Sequence, residues 1–209
     1  MKKQHLFSLA MAIAIALVIS SCTAPITLTS WKNQADNSRV SKVVVMALFG
    51  KLEYTEPVEQ YVSAYFNRQG LKSIQALDFL NPTKKYSEAD IKSKLDSLGA
   101  DAILVFTYKG TDVSQSYVPS TYYGYCGGPW GYGYGYYYGW GGGISAGGYW
   151  MTTKTVNIKA SLFTTAEQKT KGALWTADIT FTDPQYIDQA ATLAAQQIYA
   201  DWQKNQILK

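Results

Sequence analysis

Histidine is almost absent from this chain of 209 residues, which contains only His5. His5 lies in a segment that we expect to be removed, so the mature chain is expected to lack imidazole. Catalysis by Ser-His-Asp or Cys-His groups, zinc sites with histidine ligands and pH sensing by histidine therefore have no support in the sequence.

Cysteine is equally scarce, since Cys22 and Cys126 are the only two. If Cys22 is modified, no second thiol remains for an internal disulfide, even in an oxidising compartment. Cys126 has no basic neighbour in the sequence that would activate it, so an unreactive thiol is the simplest interpretation. An intermolecular disulfide is the alternative.

Charge is sparse and balanced: Asp, Glu, Lys and Arg make up 16% of the chain. Without residues 1–21, there are 17 Lys and Arg against 15 Asp and Glu, which does not favour nucleic-acid binding. Phosphate-binding glycine motifs are missing. Gly143–Gly147 matches the G-x-S-x-G pattern of serine hydrolases, but no helix is predicted after it and no histidine is available, which indicates a chance match. The sequence predicts no cofactor and no metal site.

The amino-terminal segment has the features of an export signal. Lys2 and Lys3 precede an apolar run of 14 residues, Leu6–Ile19, which is shorter than the roughly 20 residues of a spanning helix. Ile19-Ser20-Ser21-Cys22 follows and resembles the lipobox of bacterial lipoproteins. An ordinary signal peptide cut near Ser21 is the alternative.

The lipobox resemblance implies that residues 1–21 are removed and that Cys22 becomes an acylated first residue carrying palmitate-type chains. One chain holds a protein to a bilayer only marginally, at about 0.8 kcal/mol per buried methylene, whereas two or three chains hold it firmly. Thr23, where Asp would favour the inner membrane, implies an outer-membrane anchor with the domain facing the periplasm.

The rest of the chain predicts a polar tether over 22–40 and one α/β domain over 41–209. Buried strands are predicted from three apolar runs, and two alternating strands from a later hairpin. The five predicted strands cover residues 43–49, 71–77, 102–108, 155–162 and 175–182. We predict a mixed sheet with the strand order 2-1-3-4-5.

Helix signals separate these strands. A first helix is predicted near Pro57 and ends at Gly70, and a second is capped by Ser87 and ends at Gly99. Asp183-Pro184 predicts the start of a last helix. The inner face of that helix is predicted to comprise Ile187, Ala191, Ala194, Ile198 and Trp202. The full order is β-α-β-α-β, then a β-hairpin and a carboxyl-terminal helix.

Three stretches carry a resemblance to a family: Gly99-Ala100-Asp101-Ala102-Ile103-Leu104-Val105, Leu162-Phe163 and Ala173-Leu174-Trp175. Their order around a long aromatic insertion resembles that of small envelope lipoproteins of unknown function. In layout the chain is more distantly similar to the periplasmic domains of the curli secretion lipoprotein and of lipoprotein activators of penicillin-binding proteins. The resemblance covers about residues 40–205 and implies no catalytic residues.

The insertion over 110–153 is predicted to be a loop or hairpin rich in glycine and aromatic residues. Residues 122–150 hold 12 of the 17 Gly and 9 of the 17 Tyr, and Asp112 is the only charged residue between Gly110 and Thr153. Aromatic side chains recur at every second position and would share one face of an extended chain. These candidate binding residues are Tyr132, Tyr134, Tyr136, Tyr138 and Trp140.

Several roles remain open for this segment. A low-complexity loop without function is one. Stacking on peptidoglycan or another envelope glycan, contact with a membrane interface and self-association are the others. Binding of single-stranded nucleic acid is not supported, because the segment contains no Lys or Arg.

The sequence favours a non-catalytic lipoprotein that binds envelope components or supports assembly there. One alternative is a subunit of an oligomeric export or pore assembly, with 110–153 as a membrane hairpin. The other is a hydrolase that uses a pair of carboxylates. We expect the candidate carboxylates to lie on solvated surfaces; they are Glu53, Glu56, Glu59, Asp78, Asp90 and Asp96.

Overall fold

The structure is a computed structural model that describes residues 26–118, 122–123, 144–145, 149–165 and 172–209. Cys22, Cys126 and the five aromatic candidates between Tyr132 and Trp140 lie outside the described residues. The chain divides into two compact units. The larger unit comprises residues up to Asp112 and from Thr155 onward, and the smaller comprises Val113–Lys154.

In the described residues, a mixed sheet of six strands and three α-helices form the α/β domain. In chain order the elements are β1 (Ile26–Lys32), β2 (Lys42–Leu48), α1 (Leu52–Arg68), β3 (Lys72–Gln75), α2 (Glu88–Ser97), β4 (Ala102–Val118), β5 (Tyr122–Tyr123), β6 (Ile144–Ser145), β7 (Tyr149–Thr164), β8 (Trp175–Thr182) and α3 (Ile187–Lys204). A short 3-10 turn covers Ala76–Asp78. The main sheet has the order β1-β8-β7-β4-β2-β3, and β5 pairs with β6 separately.

The predicted strand order is confirmed for the five predicted strands, and β1 adds a sixth at the sheet edge. The tether predicted over 22–40 is therefore wrong for Ile26–Lys32, which form this strand. β1 pairs antiparallel with β8, from Ile26 opposite Phe181 to Lys32 opposite Trp175. Ile26 and Leu28 pack on the core, while Thr27, Thr29 and Trp31 of the same strand face solvent. The inward face of β1 is itself half polar, because Ser30 and Lys32 follow Ile26 and Leu28. The sequence of β1 therefore shows no clear apolar alternation that predicts a strand.

The parallel half of the sheet explains the apolar runs. β2 pairs in parallel with β3 on one side and with β4 on the other. Val43, Val45 and Ala47 belong to the core beneath α1 and α3, whereas Val44 faces the cluster beneath α2. Because both faces of β2 are covered, its sequence is apolar throughout.

Two predicted helix ends are confirmed, and two predicted starts need correction. Gly70 and Gly99 end their helices with φ of 87° and 61°, a region that favours glycine. Ser87 forms the predicted capping box with Asp90. However, α1 begins at Leu52, five residues before Pro57, and α3 begins at Ile187.

The start of α3 is displaced because the chain turns at Asp183. Asp183 has a φ of 48°, so it lies in a turn and cannot act as the residue that leads directly into the helix. Tyr186 occupies the N-cap position and makes no side-chain cap hydrogen bond. Within α3, Ala191, Ala194, Ile198 and Trp202 are buried, which confirms the predicted inner face.

β4 and β7 are longer than the sequence predicted. β4 continues to Val118 and β7 begins at Tyr149, so both strands extend into the predicted insertion. In the smaller unit, the rings of Tyr117 and Trp150 lie 5.2 Å apart, and both side chains are exposed. Exposed side chains on an extended strand gave no apolar pattern from which its length could be predicted.

Candidate functional site

The candidate site is an apolar cavity of about 670 Å³ between helices α1 and α3 and the sheet. All of its lining belongs to the larger unit. It lies beyond the carboxyl end of β2, where Phe49-Gly50-Lys51 leads into α1, and beside Phe106 and Tyr108 of β4. In the sheet, β2 lies between β3 and β4. The chain passes from β2 to β3 on one side and then crosses to β4 on the other side, so the strand order reverses between β2 and β4. Crevices at the carboxyl ends of strands beside such a reversal are the usual ligand sites of open α/β sheets.

The cavity exists because side-chain size changes along the contact between α1 and α3. Toward the carboxyl ends of the two helices, large aromatic rings fill the space, and Phe66 packs 5.4 Å from Trp202. Toward their amino-terminal ends, α3 presents Ala190, Ala191 and Ala194. Three alanines leave open a volume that larger side chains would fill, because a helix backbone cannot move inward to replace them.

The sheet supplies the floor of the cavity. Val156 of β7 lies opposite Phe181 of β8, and Ile158 lies opposite Ile179. All four side chains line the cavity, and Val58 and Val62 of α1 close it from the helix side. The interior is thus formed by aliphatic and aromatic carbon.

Polar groups are restricted to the rim. Tyr54, Tyr108 and Tyr186 line the cavity and are also 48%, 50% and 64% exposed, so each ring touches both the cavity and solvent. Within the described part of the chain, Lys51 is the only charged residue of the lining. Its ammonium lies 3.3 Å from the Glu53 carboxylate and 5.7 Å from the Tyr54 ring centre. This distribution suits a ligand with an apolar body and a polar end.

Gly110 shapes one side of the rim. In a regular strand, residues three positions apart point to opposite faces. The φ of Gly110 is 146°, which other residues rarely adopt, and it interrupts the regular alternation of β4. The hydroxyls of Tyr108 and Thr111 therefore meet at 2.8 Å on the same side of the strand.

The structure corrects one expectation about the carboxylates. Glu59 lies on α1 and is only 1% exposed, so it is not a surface residue as predicted. One of its oxygens accepts the backbone N–H of Ala47 at 2.9 Å, and the other accepts that of Leu77 at 2.9 Å. Burial raises the pKa of the Glu59 carboxyl, although the hydrogen bonds from Ala47, Leu77 and Ala76 lower it. Glu59 thus joins the ends of β2 and β3 to α1.

The other carboxylate candidates are exposed, as predicted; they are Glu53, Glu56, Asp78, Asp90 and Asp96. Neither they nor Glu59 line the cavity. The pKa of Asp90 is lowered by its hydrogen bonds with Ser87, which is the effect expected of a capping box. None of these six carboxylates therefore lies at the cavity as one of a glycosidase pair would.

Two further features are absent from the described residues. They contain no group of three or more His, Cys, Asp or Glu side chains placed to hold a metal ion. None of the helices in the described ranges combines the length and the apolar character needed to cross a membrane.

Sequence reasoning missed the cavity because its lining comes from four distant stretches of the chain, within 49–62, 106–111, 156–158 and 179–194. Ala191 and Ala194 were identified as part of an inner helix face, but not as small side chains opposite a gap. The available signal was the contrast within α3 between alanines in its first half and Ile198 and Trp202 in its second half. That contrast becomes informative only when the facing residues of α1 and the sheet are known.

No protein-family model and no curated protein matches the chain. Among solved structures, it is similar to a PelC dodecamer from Paraburkholderia phytofirmans, with 13% sequence identity, a TM-score of 0.42 and coverage of 80% of this chain and 90% of that one. It is also similar to lipoprotein GNA1162 from Neisseria meningitidis, with 13% identity, a TM-score of 0.38 and coverage of 77% of this chain and 99% of that one.

Proposed function

We propose that the chain is a non-catalytic binding protein of the bacterial envelope, anchored through acylated Cys22, whose domain binds an apolar or amphiphilic ligand. The observation that carries the proposal is the apolar cavity of about 670 Å³ at the carboxyl ends of β2 and β4. Its volume falls within the roughly 300–1,000 Å³ of small-molecule sites. Thr23 supports an outer-membrane anchor with the domain in the periplasm.

Binding explains the chemistry of the cavity better than catalysis does. Among the described residues, the lining contains no Asp, Glu, His, Cys or Ser. Its polar groups are tyrosine and threonine hydroxyls and the Lys51 ammonium, all at the rim and not in the interior. Such a site can hold and orient a ligand, but it does not place an acid and a base together around a reacting bond.

The ligand class follows from the same distribution. Each methylene group transferred from water into the apolar interior contributes about 0.8 kcal/mol. A chain of several methylenes is therefore enough for useful affinity even after the cost of immobilising it. The rim hydroxyls would accept and donate hydrogen bonds at the polar end of the ligand. A fatty acyl chain fits this description.

Binding of cis-parinaric acid, a fluorescent fatty acid, tests the proposal. The unacylated mature chain, residues 22–209, should bind it with a saturable rise in fluorescence. Ala190→Phe should weaken binding at least tenfold, because the new ring occupies the mouth of the cavity beside Ile187.

Ala200→Phe is the matched control, because Ala200 lies on the same helix and is exposed. It should bind the probe like the wild type. If the wild-type chain does not bind the probe, or if both variants bind it equally well, the cavity is not a binding site for apolar chains.

We also propose a second contact surface, formed by the alternating aromatics Tyr132, Tyr134, Tyr136, Tyr138 and Trp140. The absence of Lys, Arg and Glu between Gly110 and Thr153 supports a contact that uses ring stacking and not ion pairs. Peptidoglycan, another envelope glycan or an envelope protein would suit such a surface.

A further inference from the structure

We infer that the cavity accepts one of the acyl chains attached to Cys22 of the same molecule. This inference rests on the proposed function, both for the acylation of Cys22 and for the binding of apolar chains. It goes further because it names the occupant and places it within the protein itself. The anchor would then be shared between the bilayer and the domain.

The entry point of the chain into the domain is the first observation. β1 begins at Ile26, which lies directly opposite Phe181 of β8. Directly paired residues of antiparallel strands point to the same face, with Cα atoms about 4.5–5.5 Å apart. Phe181 lines the cavity, and Ile26 packs on the same core cluster. The first described residue of the chain therefore lies beside the cavity.

The length of the intervening chain is the second observation. Only Thr23, Ala24 and Pro25 separate Cys22 from Ile26. Four residues span at most about 14 Å when fully extended. The acylated residue therefore cannot move far from the cavity, and an acyl chain of ordinary length adds its own reach.

Covalent attachment favours this occupant over a free lipid. A group held by a short flexible linker has an effective concentration in about the millimolar range at a nearby site. The cavity also offers little to a lipid phosphate, since Lys51 is its only charged residue and lies 3.3 Å from Glu53. An acyl chain linked to Cys22 brings no phosphate to the cavity.

The competing environment is the bilayer, where burial of each methylene group is about as favourable as in an apolar site of a protein. Transfer of one chain from the membrane to the cavity is therefore nearly neutral per methylene. Packing within the cavity then decides how the acyl chain is distributed between the bilayer and the cavity. A domain that holds one chain is held to the membrane by one chain fewer.

Photo-crosslinking in intact cells tests the inference. Tyr186 is replaced by p-benzoylphenylalanine, a photoreactive amino acid that inserts into C–H bonds. Tyr186 suits this replacement because it lines the cavity and is 64% exposed, so the larger ring extends toward the cavity without disturbing the core. After irradiation and digestion, mass spectrometry should detect the peptide of residue 186 joined to the acylated peptide that begins at Cys22.

Trp31 provides the matched control. It is an exposed aromatic residue, and it lies on the face of β1 opposite to Ile26. The same replacement there should give at least tenfold less of this product. Equal yields at positions 186 and 31, or a phospholipid adduct in place of the peptide product at 186, would overturn the inference.

A spacer experiment distinguishes the chain of the same molecule from that of a neighbour. Ten prolines inserted between Pro25 and Ile26 form a stiff spacer of about 31 Å and should abolish the product. Ten Gly and Ser residues should preserve it, because a flexible segment of about 14 residues has a root-mean-square length of only about 20 Å. An undiminished product with the proline spacer would overturn the inference.

These outcomes are separable from the failure of the proposed function. If the unacylated chain binds cis-parinaric acid but the acylated chain gives no peptide product, the cavity binds apolar chains and its own anchor is not the occupant. If the unacylated chain does not bind the probe, the proposed function itself fails.

Discussion

At the scale of single residues, Trp175 combines apolar burial with a polar contact. Its side chain is fully buried and packs edge-to-face on Trp202, with ring centres 5.6 Å apart. Its indole N–H donates to the Asp201 carboxylate at 2.7 Å. The inward orientation predicted from the alternating pattern of its strand is thus confirmed, while the partner Asp201 is known only from the structure.

Trp175→Ala should lower the free energy of unfolding by about 3–5 kcal/mol, the usual cost of removing a buried large aromatic side chain. Trp175→Phe should cost less, since it keeps a ring on Trp202 and removes less buried volume, although it loses the hydrogen bond to Asp201. Urea unfolding followed by circular dichroism measures both. Trp31→Ala is the control, because Trp31 is 57% exposed, and it should change stability by less than about 0.5 kcal/mol. A wild-type midpoint for Trp175→Ala would contradict the prediction.

Glu59 is the residue whose environment differs most from what its sequence position suggested. Glu59→Gln should reduce stability at neutral pH by about 1–3 kcal/mol, because the amide NH₂ group faces one of the two backbone N–H donors and leaves it without an acceptor. Glu56→Gln is the control: Glu56 is exposed on the same helix, and its replacement should have little effect.

Glu59 also predicts a pH dependence with a definite sign. Burial raises the pKa of its carboxyl in the folded protein above the ordinary value of 4.5. Its contribution to stability is therefore complete below pH 4.5 and is lost as the pH rises through the folded-state pKa. The stability difference between wild type and Glu59→Gln should shrink over that interval. A difference that grows with pH would show that the hydrogen bonds from Ala47 and Leu77 outweigh burial.

At the scale of elements, the predicted insertion and the domain core are separate in sequence. In the described part of the chain, neither core cluster includes a residue between Phe106 and Val156. β4 and β7 continue past these positions with exposed side chains at residues 111–117 and 149–152. The packing of the larger unit thus depends on the inner portions of the two long strands.

Replacing residues 119–148 by a short Gly-Ser linker should leave the melting temperature within about 2 °C of the wild type. The free energy of closing a connection changes by only about 0.6 kcal/mol per twofold change in its length. Calorimetry measures the effect. A large loss of stability would mean that the segment contributes to the core.

A milder variant tests the contact proposed for the aromatic segment. Replacement of the four tyrosines Tyr132, Tyr134, Tyr136 and Tyr138 by Ser keeps the length of the segment and removes rings that contribute on the order of 1 kcal/mol each to a contact. The fraction of protein retained on purified cell wall should decrease. The yield of crosslinks to envelope proteins should decrease as well. Wild-type results in both assays would leave the segment without a role in binding.

At the scale of the whole molecule, the proposed anchor Cys22 lies four residues before Ile26, which pairs with the cavity residue Phe181. Cys22→Ala should block acylation, since the modification needs the thiol. The protein should then accumulate as uncleaved precursor or appear in the soluble fraction, as measured by membrane fractionation and intact mass. Ser21→Ala is a control that keeps the thiol and a small residue before it. Mature-sized Cys22→Ala protein that remained with the membrane would contradict the anchor.

The sequence by itself determined the α/β class and the positions of the five predicted strands, because their signals are local. A strand covered on both faces must be apolar throughout, as in β2, and a helix must end where glycine adopts positive φ, as at Gly70 and Gly99. Ser87 and Asp90 satisfy the first N–H groups of α2 within four residues of chain. Each of these features requires only neighbouring residues.

Only the tertiary structure decided the features that depend on distant partners. β1 is a strand because Ile26–Lys32 pairs with β8, which lies about 150 residues later in the chain. Glu59 is buried because the backbone N–H groups of Ala47 and Leu77 donate hydrogen bonds to its carboxylate. The cavity is likewise a mismatch between alanines of α3 and the residues facing them. Such features depend on whether two distant segments match in size, hydrogen bonding and position. The sequence of one segment does not show which segment will face it in the fold.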